Sequence, residues 1–138
     1  LVQADYQIVD RQDALAAVDS KLSDAGSFSF DIETTAKNPM FGDLVGIGLS
    51  NEPHQGWYVP IGHAEGTQLA KSTVLDVLRP LFESSETFKL THNGNHQMTV
   101  LLNLDINVRN VGFDTMVGAS VVGRKALSLD ALALDILV

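Results

Sequence analysis

Two carboxylates on a short apolar run carry the clearest chemical signal. Between Ser27 and Thr34, Phe28, Phe30 and Ile32 alternate with Ser29, Asp31 and Glu33, the pattern of a strand with one buried and one open face. Side chains two apart on a strand share a face, so Asp31 and Glu33 aim at one point. Carboxylates crowded on a sheet are expensive to desolvate unless something cationic compensates them. Mg²⁺ or Mn²⁺, which prefer oxygen ligands, would do so. An isolated Asp-x-Glu more often marks a solvated strand face, so the pair gains meaning only from its surroundings.

Other polar residues invite the same question. His92 and His96 are four apart and flank Asn93; on one helix face they could grip a metal. Gly94 falls at a strand-to-helix turn, however, and a dedicated histidine site is not expected. His63 ends the segment WYVPIGH and reads as a loop residue. Trp57 and Tyr58 alternate on a strand and read as core and rim rather than as a base-stacking platform.

The elements that must position these residues follow from periodicity. Asp10 is expected to cap a helix bearing Leu15, Val18, Leu22 and Ala25 and ended by Gly26. The FSFDIE run, Leu44 to Ser50 and Trp57 to Ile61 predict an antiparallel meander, with turn signals at Asn38-Pro39 and Gly42-Asp43. A helix is expected from Ser72 or Thr73, carrying Val74, Leu78, Leu81 and Phe82, with a kink or short final turn at Pro80. Phe88 to Thr91 predicts a strand, Gln97 to Leu104 a helix, and Val111 to Asp114 a last strand. Helices over Thr115 to Val122 and Leu129 to Val138 follow, the second capped by Ser128. The reading is one α/β domain over residues 1–138.

Bulk composition narrows the classes. The chain has 138 residues, 45% of them hydrophobic, enough for a real core. It lacks cysteine, which excludes disulfides and thiolate metal sites, and no run approaches the ~18 apolar residues of a membrane span. A soluble cytoplasmic protein is the simplest expectation. Nine Lys and Arg against 17 Asp and Glu give a net charge of −8, so any nucleic-acid contact is expected at a small local site rather than along a basic stripe. The absence of an initiator Met and the apolar ending suggest a piece of a longer polypeptide. Leu129, Leu132, Ile136 and Leu137 are expected to form an exposed face suited to dimerisation.

Taken together, FSFDIETTAKNPMFGDLVGIGLS, WYVPIGH, FKLTHNGNHQMTVLLN, VGFDTM and LSLDALA occur in an order that resembles the 3′→5′ proofreading exonuclease domain of family A bacterial DNA polymerase I, of the DEDD group. The resemblance runs from about Gly26 to the C-terminus. It implies a ribonuclease H-like fold, a mixed five-stranded sheet flanked by helices. It also implies a two-metal phosphodiesterase acting on the 3′ end of single-stranded DNA, in which four acidic residues hold two divalent ions that activate a water and stabilise the leaving oxygen. Replication and repair within a chain that also carries a polymerase domain would be its setting.

Carried over residue by residue, the first motif matches Asp31 and Glu33 as metal ligands. The second motif, Asn-x-x-Tyr/Phe-Asp, matches Asn93, places His96 at the aromatic position, and puts Gln97 where the carboxylate belongs. His92 and Asn93 fall at substrate-contacting positions, and Lys37 stands where a Leu commonly wedges against the terminal base. Asp114 is expected to have a structural or supporting role. The third motif, Tyr-x-x-x-Asp, would lie beyond Val138, and Asp130 and Asp135 do not replace it. With two carboxylates left, any divalent ion should bind weakly and hydrolysis should be weak or absent. Losing one catalytic ligand commonly costs ~3 kcal/mol of transition-state stabilisation. A non-catalytic platform within a polymerase is the competing reading. A ribonuclease of the related DEDD group is a third, disfavoured by the FDTM and YVPIGH segments.

Overall fold

The computed structural model describes residues 3–137. Its elements are β1 (Asp5–Ile8), α1 (Gln12–Ala25), β2 (Ser27–Thr34), β3 (Leu44–Ser50), β4 (Gln55–Pro60), α2 (Lys71–Glu83), β5 (Phe88–Thr91), α3 (Gly94–Leu102), β6 (Val111–Asp114), α4 (Thr115–Val121) and α5 (Leu129–Leu137). Val138, included in the expected last helix, lies outside the described residues.

The strands form one mixed sheet in the order β1-β4-β3-β2-β5-β6. As expected, β2, β3 and β4 form an antiparallel meander. β5 pairs parallel to β2 and β6 parallel to β5. The sheet has six strands rather than the expected five. The addition is β1, an edge strand parallel to β4, whose Tyr6 and Ile8 remain 73% and 69% exposed. Its Asp-Tyr-Gln-Ile order does alternate polar and apolar residues, but at four residues it is the shortest run that carries such a signal, and it does not stand out.

One face of the sheet is dry. Phe28, Phe30 and Ile32 of β2 pack beneath Leu15, Val18 and Leu22 of α1 and the apolar stripe of α2 in a single core. Phe82 sits edge-on to both Phe28 and Phe30, with ring centroids at 5.8 and 5.2 Å, a geometry that adds to the gain from burial alone. Trp57 is buried on this side, with the Lys21 ammonium over its ring. Lys89 of β5 is fully buried and donates to the carbonyls of Ser84 and Thr87, just past the end of α2. Desolvation lowers its pKa to about 8.

Several helix boundaries differ from the sequence expectation. Arg11, not Asp10, holds the N-cap position of α1 and makes no side-chain cap; it pairs instead with Asp13 in the first turn. Gly26 ends α1 in the left-handed region, as expected. α2 begins at Lys71 without a side-chain cap and runs only three residues past Pro80. α3 begins at Gly94, three residues ahead of Gln97, because its N-terminus is capped by a residue remote in sequence, described below. The Ser128 hydroxyl accepts from Ala131 at the start of α5. Of the apolar face expected on this helix, Leu129, Ile136 and Leu137 are exposed while Leu132 is buried. None of the described helices is long and apolar enough to cross a membrane.

Because Phe82 joins α2 to β2 through two aromatic contacts and is fully buried, Phe82→Ala is expected to lose about 3–5 kcal/mol of stability. Urea denaturation of the two chains measures it.

Candidate active site

The other face of the sheet is open, and the two carboxylates stand on it. Asp31 lies opposite Gly48 and Glu33 opposite Gly46 in the β2–β3 register. The pairing shifts between Glu33 and Thr34, a bulge that turns the strand end beside the second carboxylate. A Cβ on Gly48 would come no nearer than 3.8 Å to Asp31, so glycine keeps the floor beside the carboxylate shallow. Gly46 is different. The Tyr58 ring lies over it, and a Cβ there would come within 2.0 Å of the phenol oxygen.

α3 brings the third member. Gln97 is 3% exposed, and its Nε2 donates to Asp31 Oδ1 at 2.9 Å and to the His92 carbonyl at 2.7 Å. Both neighbours are acceptors, which fixes the amide with its nitrogen toward them. Its Oε1 is consequently buried without a partner. Burial, reinforced by the Glu33 charge, pushes the Asp31 carboxyl above its usual pKa, against the opposing effects of the Ile32 N–H, the Gln97 amide and the His92 charge.

The chain reversal that carries α3 is held by Asp114. Its carboxylate accepts from the backbone N–H groups of Asn93 and Gly94 at 3.1 and 2.6 Å. It also accepts from Met116 and Val117 at 2.8 and 3.3 Å. One side chain thus satisfies the free donors at the starts of both α3 and α4. Asn93 takes a left-handed φ of 60°. Gly94 is required for space, since a Cβ there would lie 2.7 Å from Thr91 Cγ2. Burial works against the Asp114 charge, but the four N–H groups outweigh it and hold the carboxyl below its usual pKa.

The sequence-derived site residues fall into two adjoining groups. Asp31, Gln97 and His92 meet on one side, where the His92 ring nitrogen Nδ1 is 2.8 Å from Thr115 Oγ1. Lys37, Asn93 and His96 line a groove of about 430 Å³ that Glu33 also borders. His92 precedes α3 and His96 lies within it, so the two do not share a helix face. The sequence reading did not foresee the Tyr58–His63 pair, whose hydroxyl and Nε2 are 2.7 Å apart beside Glu33. The signal available was Gly46, small enough to admit the Tyr58 ring.

A divalent cation can be tested against this donor set. Asp31 and Glu33 offer oxygens from one face, but Gln97 turns an N–H donor toward Asp31. Among the described residues, no three His, Cys, Asp or Glu side chains come together to hold a metal ion. The residues therefore do not fit a pair of ions.

Comparisons with known proteins bear on the fold and the family. A family model described as 3′-5′ exonuclease matches residues 6–137. The chain is 37% identical over 118 residues to a DNA polymerase I of Chloroflexus aurantiacus, covering 86% of this chain but only 12% of that protein. Among solved structures, the POL domain of Pol1 from M. smegmatis, in complex with DNA primer-template and dNTP, superposes with a TM-score of 0.74 at 21% identity. The match covers 96% of this chain and 22% of that one. Escherichia coli RNase D, an exoribonuclease involved in structured RNA processing, superposes with a TM-score of 0.70 at 19% identity, over 97% of this chain and 34% of that one.

Asp114→Ala is expected to cost about 2–4 kcal/mol at neutral pH, since it strips charge-assisted hydrogen bonds from two helix starts. The folded carboxyl titrates below its unfolded value of 3.8. Its contribution is therefore complete above that value and is lost as pH falls through the folded pKa. Denaturation followed from pH 7 downward should show the gap between variant and parent narrowing as pH falls below 3.8. From the matched residues and the shared sheet, the chain belongs to the 3′-5′ exonuclease domain family found in bacterial DNA polymerase I.

Proposed function

We propose that this chain is the exonuclease-fold module of a DNA polymerase I-type polypeptide, shaped to receive a DNA 3′ end, with phosphodiester hydrolysis lost or severely weakened. The observation that carries this reading is the Gln97 amide. It donates an N–H to Asp31 where the family's chemistry calls for a second-motif carboxylate. A neutral amide is a poor ligand for a hard cation, and one turned nitrogen-first toward the carboxylate supplies no oxygen in that direction. Among the described residues, Asp31 and Glu33 would hold a single Mg²⁺ or Mn²⁺ weakly.

The surroundings support a retained binding role. Lys37 brings a positive charge to the groove lined by Asn93 and His96, a local offset to a chain of net charge −8. Its flexible ammonium suits a phosphate better than the apolar wedge usual at that position. The same hydrogen bonds of Gln97 favour a second role, that of a structural platform within the polymerase.

A 3′-labelled single-stranded oligonucleotide in Mn²⁺ tests the reading. The unmodified chain is expected to shorten it no faster than Asp31→Ala does. Any gain of ~100-fold in Gln97→Asp would assign the loss to that residue. Stepwise shortening by the unmodified chain, abolished in Asp31→Ala, would overturn the proposal.

A further inference from the structure

Gln97 is placed where removing it should disturb more than catalysis. Its amide is buried, its two donated hydrogen bonds tie α3 to β2 and to the end of β5, and its Oε1 has no partner. A side chain held only to fill space would not strand a buried acceptor, because an unsatisfied group of that kind is costly. The two donations explain it: both acceptors are met at the expense of the third polar atom. Asp31 has Glu33 two residues away on the same face, so an uncompensated carboxylate there faces like charge as well as desolvation.

We propose that Gln97 is a resident substitute for a metal ion, whose amide N–H compensates the Asp31 carboxylate so that the site folds and keeps its shape without any divalent cation. This rests on the reading that the second-motif ligand has been lost, and it goes beyond that reading. Loss of a ligand predicts only silence, whereas substitution predicts a fold indifferent to metal. It also makes the amide a positioning group for α3, because the His92 carbonyl it binds lies at the β5–α3 reversal. A carboxylate at 97 would turn an oxygen toward both acceptors, and that arrangement would need a cation to hold together.

The test is thermal unfolding of the whole chain in EDTA and in millimolar Mn²⁺, with bound Mn²⁺ counted by electron paramagnetic resonance. The unmodified chain should melt within ~2 °C in the two conditions and bind no more than one ion. Gln97→Glu keeps the shape but reverses the donor, so its midpoint in EDTA should fall by ~5 °C or more and Mn²⁺ should restore it. Gln97→Met, which removes the donor without adding charge, should also melt early and gain nothing from Mn²⁺. A midpoint of the unmodified chain that climbs with Mn²⁺ as far as that of Gln97→Glu, or two ions bound to it, would overturn the proposal. So would a Gln97→Glu chain as stable in EDTA as the parent, or a Gln97→Met chain rescued by Mn²⁺. Should neither variant fold, the unmodified chain decides alone: an unmoved midpoint supports the substitution and a metal-dependent one refutes it. An active chain with a metal-indifferent midpoint would sink the functional reading and keep this one, and a silent chain whose midpoint follows Mn²⁺ would do the reverse.

Discussion

A single carboxylate, Asp114, fixes where two helices begin, and the geometry of the open sheet face follows from that. Helix starts leave backbone N–H groups without partners. Here two such starts, 21 residues apart in the chain, converge on one acceptor. That convergence requires β6 to lie beside β5, and it sets α3 at the angle that drives Gln97 into the sheet. With α3 seated, a buried amide reaches Asp31; without the cap, the Asn93–Gly94 reversal would have to satisfy its own donors. The left-handed Asn93 and the spatially confined Gly94 are local concessions to this arrangement.

The two sheet faces divide the labour. On the dry face, aromatic and branched side chains interlock with α1 and α2 and supply stability. On the wet face Gly48 leaves open ground beside Asp31 while Gly46 admits the Tyr58 ring, and the two carboxylates stand opposite these glycines. Stability and chemistry thus share β2 residue by residue, because a strand sends alternate side chains to opposite sides. Gln97 crosses that division, since it comes from a helix that also contributes Val100 and Leu101 to the core.

The parts of this organisation that rest on periodicity could be read from the amino-acid order. The FSFDIE alternation placed Asp31 and Glu33 on the open face, and the meander and the two later strands followed from short apolar runs and turn residues, whereas the parallel pairing of β5 and β6 came only with the fold. Edges and ends were not legible in that way. β1 is only four residues long, so its Tyr6 and Ile8 alternation was too brief a signal to stand out. The sequence reading starts α3 three residues late although Gly94 marks the strand-to-helix turn, and the donors at its start are met by Asp114, a cap that no local residue announces. Family likeness singled out position 97, but not the direction of its amide. That direction depends on two acceptors, one of them a backbone carbonyl, which only the folded chain brings together. The Tyr58–His63 pair was hidden for a similar reason, as it exists only because Gly46 on the neighbouring strand leaves room.

The exposed apolar side chains on β1, α4 and α5 give the acidic surface a colloidal meaning. Tyr6 and Ile8 sit on the outer strand of the sheet, and Val121, Val122, Ile136 and Leu137 line one exposed apolar hollow. Such surfaces associate when nothing keeps copies apart. The excess of carboxylates over basic groups provides long-range repulsion between molecules, at distances where the apolar contacts have no pull. Concentrated salt or mild acid weakens that repulsion without touching the core.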